Sequence, residues 1–188
     1  MRLYTALVHH PIRNKNGDMV TTAITNMDIS DISRSSRTFG VKKYFLVSPA
    51  TSQHNLVRRI LGHWESDAGS MYNPDRTDAM RVATLAHSLE DAVSQIEEIE
   101  GVKPQVVVTG AQFQDTELKV SELREQLLID KHPVLLVFGT GWGLHASLVE
   151  KADARLEPIY SQADDGYNHL SVRSAVAIYL DRLTQKPL

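Results

Sequence analysis

The sequence predicts an α/β protein, a mostly parallel sheet with helices on both faces. Two observations carry the prediction. Short apolar runs alternate with stretches whose apolar residues recur at helical spacing, throughout the chain. The most apolar run, residues 134–138, leaves directly into Gly139-Thr-Gly-Trp-Gly-Leu144. Such an exit from a strand is where ligands collect in open α/β sheets. The length of 188 residues suits one domain spanning 1–188.

Residues 3–8 read as the first strand. Asn14-Lys-Asn-Gly-Asp18 is a turn in which Gly17 is free to take positive φ. Residues 27–39 read as a helix, with Ile29, Ile32, Ser36 and Phe39 on one face and Gly40 as its stop. A strand at 44–47 and a helix at 51–64 follow, the helix with Leu56, Ile60 and Leu61 inward. Residues 65–80 are rich in turn formers and read as an exposed loop. A short strand at 82–85 precedes a helix capped by Ser88, with acids in its first turn and Ala92, Val93, Ile96 and Ile99 behind them. Strands at 105–109 and 134–138 flank a helix at 120–128. A short apolar segment at 155–159 leads through a polar loop into an amphipathic helix that opens at Asn168-His-Leu-Ser-Val. The loops after Val108, Phe138 and Ile159 therefore form the candidate pocket, suited to a nucleotide-like cofactor met by backbone groups.

Composition narrows the function. With no cysteine, disulfides, zinc–thiolate sites and a cysteine nucleophile are excluded. No run approaches the roughly 18 apolar residues of a membrane span, and no signal-peptide core opens the chain; a cytoplasmic protein is expected. The net charge of -3 conceals an asymmetry: residues 1–62 carry nine Lys/Arg against three Asp/Glu. A basic segment of that kind attracts a polyanion, or is simply a solvated face.

Each motif has a plain and a functional reading. Gly139, Gly141 and Gly143 permit close backbone approach to a phosphate or adenosine, or make a tight turn. Glu157 stands where a dinucleotide site would place its ribose-binding acid. A nicotinamide oxidoreductase is disfavoured because the motif lies late in the chain with no clear helix after it. Asp28, Asp31 and Ser35 share a helix face with Arg34 and Arg37 nearby; the arginines suit a phosphate, or the face is merely polar. His9-His10 lacks partners at metal-ligand spacing, and neighbours on a strand point to opposite faces, so no metal is expected. Trp64, Tyr72 and Arg76 bracket the turn-rich loop and suit base stacking, or pack on the protein itself. Asn168 reads as an N-cap with free amides beside it.

Taken together, these residues resemble the SPOUT, or α/β-knot, superfamily of RNA methyltransferases. The stretch from Asp28 through Arg34 to Phe39-Gly-Val-Lys42 is similar to its first motif, Leu135-Leu-Val-Phe-Gly-Thr-Gly-Trp-Gly-Leu144 to its second, and Glu157-Pro-Ile159 with Asn168-His-Leu-Ser-Val-Arg-Ser-Ala-Val-Ala-Ile178 to its third. Within it the chain resembles a bacterial group of S-adenosyl-L-methionine-dependent RNA methyltransferases, some fused to tRNA guanine-N1 methyltransferases. The resemblance implies a C-terminal deep trefoil knot, a homodimer with the last helix at its interface, and tRNA or rRNA rather than DNA or a membrane as partner. It implies a cofactor site made by Thr109, Gly110, Gly139, Thr140, Gly141, Gly143, Leu144, Ile159, Asn168, His169, Leu170 and Ser171. Arg34 would hold a phosphate of the target or assist deprotonation, with Asp28 as candidate base. Ribose-methylating members usually carry Asn at the place of Asp28, and here Asn26 lies two residues earlier. The acceptor, a ribose hydroxyl or a base nitrogen, stays open. A non-catalytic RNA-binding or assembly module that keeps the knot is the alternative.

Overall fold

The computed structural model describes residues 1–185. Its elements, in chain order, are β1 (Leu3–Val8), β2 (Ile12–Arg13), β3 (Met19–Val20), α1 (Asn26–Thr38), β4 (Tyr44–Val47), α2 (Thr51–Glu65), α3 (Asp67–Tyr72), α4 (Pro74–Met80), β5 (Ala83–Ala86), α5 (Leu89–Glu100), β6 (Gln105–Val108), α6 (Val120–Ile129), β7 (Val134–Gly139), α7 (Ala146–Val149), β8 (Ala154–Arg155) and α8 (Val172–Thr184). Six strands form one sheet in the order β5-β4-β1-β7-β6-β8, every neighbouring pair parallel. β2 and β3 make a separate antiparallel hairpin around the turn at Gly17, whose φ is +91°.

The core lies in two layers, one on each face. Along β7, Val134, Leu136 and Phe138 face one layer, and Leu135 and Val137 the other, the period of two that a strand imposes. The first layer packs under α1, α2, α4, α6 and α8 through Ile29, Ile32, Val57, Met80, Leu123 and Leu180. The second packs under α5 and α7 through Ala92, Ile96 and Leu148. Burial on both sides explains why the central strands are apolar throughout. Each such side chain contributes roughly 1.5–3 kcal/mol by leaving water.

Four readings need correction. Residues 65–80 are not a loop but the short helices α3 and α4. Leu56 is exposed; the inward residues of α2 are His54 and Val57, with Ile60 and Leu61 partly buried. Ile99 is also exposed. A one-turn helix, α7, does follow the glycine loop.

Parallel strands bring their carboxyl ends to one edge. β1, β7, β6 and β8 are consecutive neighbours there. The loops at 9–25, 109–119, 139–145 and 156–171 therefore meet above them.

Candidate cofactor and RNA site

The glycine loop is built against the β2–β3 hairpin. Arg13 N donates to Gly143 O (3.0 Å), Trp142 N to Arg13 O (3.3 Å), and His145 N to Pro11 O (3.2 Å). These bonds flank an antiparallel bridge between Ile12 and Leu144. Leu144 thus occupies the non-hydrogen-bonded position, with its own N–H and C=O turned away from the hairpin. No described residue bonds either group, although Leu144 is only 6% exposed. Buried main-chain groups are normally paired, so this amide and carbonyl are left with capacity that a ligand could use.

The glycines have different tasks. A Cβ on Gly139 would lie 2.7 Å from Leu144 N and 3.0 Å from Gly143 C, so only glycine lets the loop fold back on the strand end. Gly141 has φ +57°, and a Cβ there would meet Ile12 Cγ2 at 3.3 Å and Thr22 Cγ2 at 3.5 Å, on the hairpin side. Gly143 has φ +102°, a conformation side chains rarely adopt.

The neighbouring exits are braced in the same way. Thr109 Oγ1 donates to Val137 O (3.0 Å), tying β6's exit to β7. A Cβ on Gly110 would lie 2.9 Å from the Phe113 ring. Asn168 Nδ2 donates to Ile159 O (3.0 Å), closing the base of the last loop. Asn168 is therefore a loop brace; the cap of α8 is Ser171, whose Oγ accepts from Ser174 N. His169 is exposed and lies against Tyr167, and Leu170 is exposed. Glu157 Oε1 accepts from Val120 N (2.7 Å), which commits it to the start of α6 rather than to a ribose.

The first-motif residues occupy the adjoining helix. Thr25 caps α1, and Asp28 returns a bond to complete the capping box. Asp28 Oδ2 accepts from Thr25 Oγ1 (2.6 Å), and Oδ1 from Arg173 Nη1 (3.1 Å). Arg173 Nε also reaches Asp31 (3.4 Å), so α1 and α8 are joined at their amino ends. Asp28 is 5% exposed. Asn26, at the start of α1, is exposed. Arg34 is exposed two turns further on and lines an open cavity of about 390 Å³ with Asp31, Ser35, Thr38 and Phe39. At 1.5 Å per residue, Arg34 lies roughly 9 Å along the axis from Asp28. It does not join the loops of its own chain.

His9, Thr22, Arg13 and Arg173 are the residues that sequence patterns did not single out as parts of the site. Thr140 Oγ1 donates to Val8 O (3.1 Å) and lies 2.5 Å from the Thr22 hydroxyl, which is also within reach of His9 O (3.5 Å). The same hydroxyl is hydrogen-bonded to His9 Nδ1 (3.0 Å). His9 Nε2 is buried and has no hydrogen-bond partner among the described residues. Burial lowers the His9 pKa to about 4, against the opposing pull of the Asp28 charge. Unfolded, the ring takes its proton near 6.5, so between those values the unfolded chain binds the extra proton. Stability is complete above pH 6.5 and falls as pH drops towards 4, by at most about 3 kcal/mol. Urea unfolding at pH 7 and pH 5 is expected to show this loss in the wild type and a smaller one in His9→Asn. An identical loss in both would reject it.

A six-stranded parallel sheet that gathers the loops of adjacent strands at its carboxyl edge is the α/β architecture in which nucleotide-like cofactors commonly bind. Residues 2–185 match the family described as SAM-dependent RNA methyltransferase, and the chain belongs to that family. It is an S-adenosylmethionine-dependent enzyme that methylates RNA. It is 38% identical to an uncharacterized protein of Aquifex aeolicus, over 96% of this chain and 87% of that one. It is 43% identical to a tRNA (guanine-N(1)-)-methyltransferase of Oleidesulfovibrio alaskensis, over 96% of this chain but only 41% of the relative. The chain thus spans less than half of that longer protein. Among solved structures, a probable methylase family protein from Haemophilus influenzae superposes with a TM-score of 0.61 at 18% identity, over 97% of this chain and 65% of that one. TrmJ from Z. mobilis gives 0.60 at 12% identity, over 100% and 72%. The A. aeolicus TrmH/SpoU tRNA modifying enzyme gives 0.52 at 18%, over 97% and 74%. These likenesses speak for the SPOUT fold.

S-adenosylmethionine suits this cradle. Its adenosyl body is largely neutral with polar edges, and the glycine loop, residues 139–145, offers main-chain groups without a Lys, Arg, Asp or Glu side chain. Leu144, Gly110 and the Ile159 segment would hold it, and when bound it supplies an activated methyl on a sulfonium.

Proposed function

We propose that the substrate is tRNA or rRNA, methylated in the cytoplasm by a homodimer. The observation that carries this reading is the Leu144 main chain, unpaired among the described residues and folded back on the exit of β7. Two longer relatives bear the name tRNA (guanine-N(1)-)-methyltransferase, which favours tRNA. Among the described residues no helix is long and apolar enough to cross a membrane. Incubation with methyl-labelled S-adenosylmethionine and bulk RNA is expected to label tRNA or rRNA. Mass spectrometry of the digested nucleosides then gives the atom. Absence of label in both fractions would overturn the proposal.

The last loop and α8 complete a C-terminal trefoil knot in this reading, so the cradle is closed by threaded backbone. The exposed apolar side chains Met27, Tyr160, Tyr167 and Leu170, around the amino ends of α1 and α8, supply a surface for a second copy. Pairing there brings Arg34 of one copy to the cofactor of the other, where it holds the target phosphate or stabilises the negative charge that builds on the acceptor atom as its proton leaves. Asn26, at the exposed start of α1, faces the same approach.

Asp28 serves as a positioning residue. Both its oxygens are engaged and it is shut away from bulky RNA, so it orients Arg173 and the first turn of α1. Asp28→Asn is expected to lower stability by about 1–3 kcal/mol and to leave the pH profile of kcat unmoved. A displaced profile would restore it as the base.

A further inference from the structure

We infer that Arg13 and Trp142 form a nucleotide subsite at the mouth of the cofactor cleft, with a phosphodiester on the guanidinium and a base on the indole. The inference rests on RNA as the substrate and specifies where a nucleotide of it is held.

Arg13 is fixed by neutral acceptors. Its Nε donates to Trp142 O (2.8 Å) and its Nη2 to Gln112 Oε1 (3.2 Å). The side chain therefore bridges the loops that follow β7 and β6, both of which frame the cofactor. It lies over Gly143, where a Cβ would stand 3.9 Å from Nε and Nη2. Among the described residues no carboxylate pairs with it, whereas Arg2, Arg37, Arg155 and Arg173 each have one. Among the described residues Nη1 makes no hydrogen bond. The guanidinium is thus oriented but not neutralised, and its remaining N–H groups present the planar fork that suits a phosphate.

Trp142 adds the second half. Its main chain is held at both ends by Arg13, yet its side chain is 53% exposed. A large aromatic on a pinned backbone, beside an uncompensated cation, offers a stacking face at little ordering cost.

Fluorescently labelled bulk tRNA and S-adenosylmethionine are titrated separately into wild type, Arg13→Gln, Arg13→Lys and Trp142→Ala. Arg13→Gln is expected to weaken RNA binding about tenfold and to reduce the slope of log K against log salt by about one. Arg13→Lys recovers the slope, because the charge is kept. Trp142→Ala weakens RNA binding about tenfold with the slope intact. In all three the affinity for S-adenosylmethionine stays as in the wild type, and KM for RNA rises more than kcat falls. Unchanged RNA affinity and slope in Arg13→Gln would overturn the subsite. So would lost cofactor affinity in that variant, which would make Arg13 a holder of the cofactor's carboxylate or of its loop. A changed sedimentation rate in Trp142→Ala would place the indole in an interface between copies, and equally overturn it. If Arg13→Gln does not fold, Trp142→Ala and Arg13→Lys decide. Wild-type protein that binds and methylates no RNA removes the substrate reading itself; altered RNA binding is independent of turnover, so the two failures are distinguishable.

Discussion

Alanine in place of Gly139 is expected to weaken S-adenosylmethionine binding about a hundredfold while leaving the protein folded. The added methyl would stand 2.7 Å from Leu144 N and 3.0 Å from Gly143 C, both main-chain atoms that a side-chain rotation cannot relieve. The loop must move, and Leu144 moves with it. Overpacking of this kind costs roughly 1–3 kcal/mol, and all of it falls on the conformation that meets the cofactor. A loss of about a hundredfold in affinity corresponds to the upper part of that range. Calorimetry measures it directly, with thermal unfolding as control. Gly141→Val is expected to act similarly by another route. Its side chain would collide with Ile12 and Thr22, and its φ of +57° disfavours a β-branched residue, so the hairpin would separate from the loop. Wild-type affinity in both variants would remove the glycine loop from the site.

Arg34→Ala is expected to retain cofactor affinity and lose turnover by about 10²–10³ fold, the usual cost of one missing charge stabiliser. Arg34 is exposed, lines a cavity on the outer face of α1 and has no ion-pair partner among the described residues, so its removal leaves the fold intact. Dimer exchange adds a sharper test. Arg34→Ala subunits keep a sound cradle, and Gly139→Ala subunits keep a sound arginine. Mixed dimers are expected to regain activity at one of their two sites. No recovery on mixing would mean that Arg34 acts within its own chain, and full activity of Arg34→Ala alone would end its role.

Much of the scaffold was legible because pattern and packing agree. β1 and β4 lie where their apolar runs begin and end, and α1 differs from its expected span by one residue at each end. Residues 65–80 misled because turn formers double as helix caps. Ser66 caps α3, and Asn73 caps α4 with Pro74 in its first turn. The same ambiguity hid the role of Asn168, a good cap by type that braces Ile159 instead. Of the aromatic group around that segment, Trp64 and Arg76 are stacked on each other at 5.0 Å, while Tyr72 is 84% exposed. The glycine loop could be read from its residues, since close backbone approach limits the choice. The Asp28–Arg173 pair could not, because 145 positions separate two residues that only the fold brings together. The hairpin's hold on the loop was invisible for the same reason.

That hold has a consequence for biosynthesis. Arg13 and Thr22 leave the ribosome more than a hundred residues before Trp142 and Thr140, the groups they grip. Closing so long a separation costs entropy that no local contact returns, so these bonds form only once the strand bearing the later partners has docked. A nascent chain therefore carries a finished hairpin but no competent cradle. Ligand capture becomes one of the last events of maturation, and the newly made enzyme stays inert until its architecture is complete.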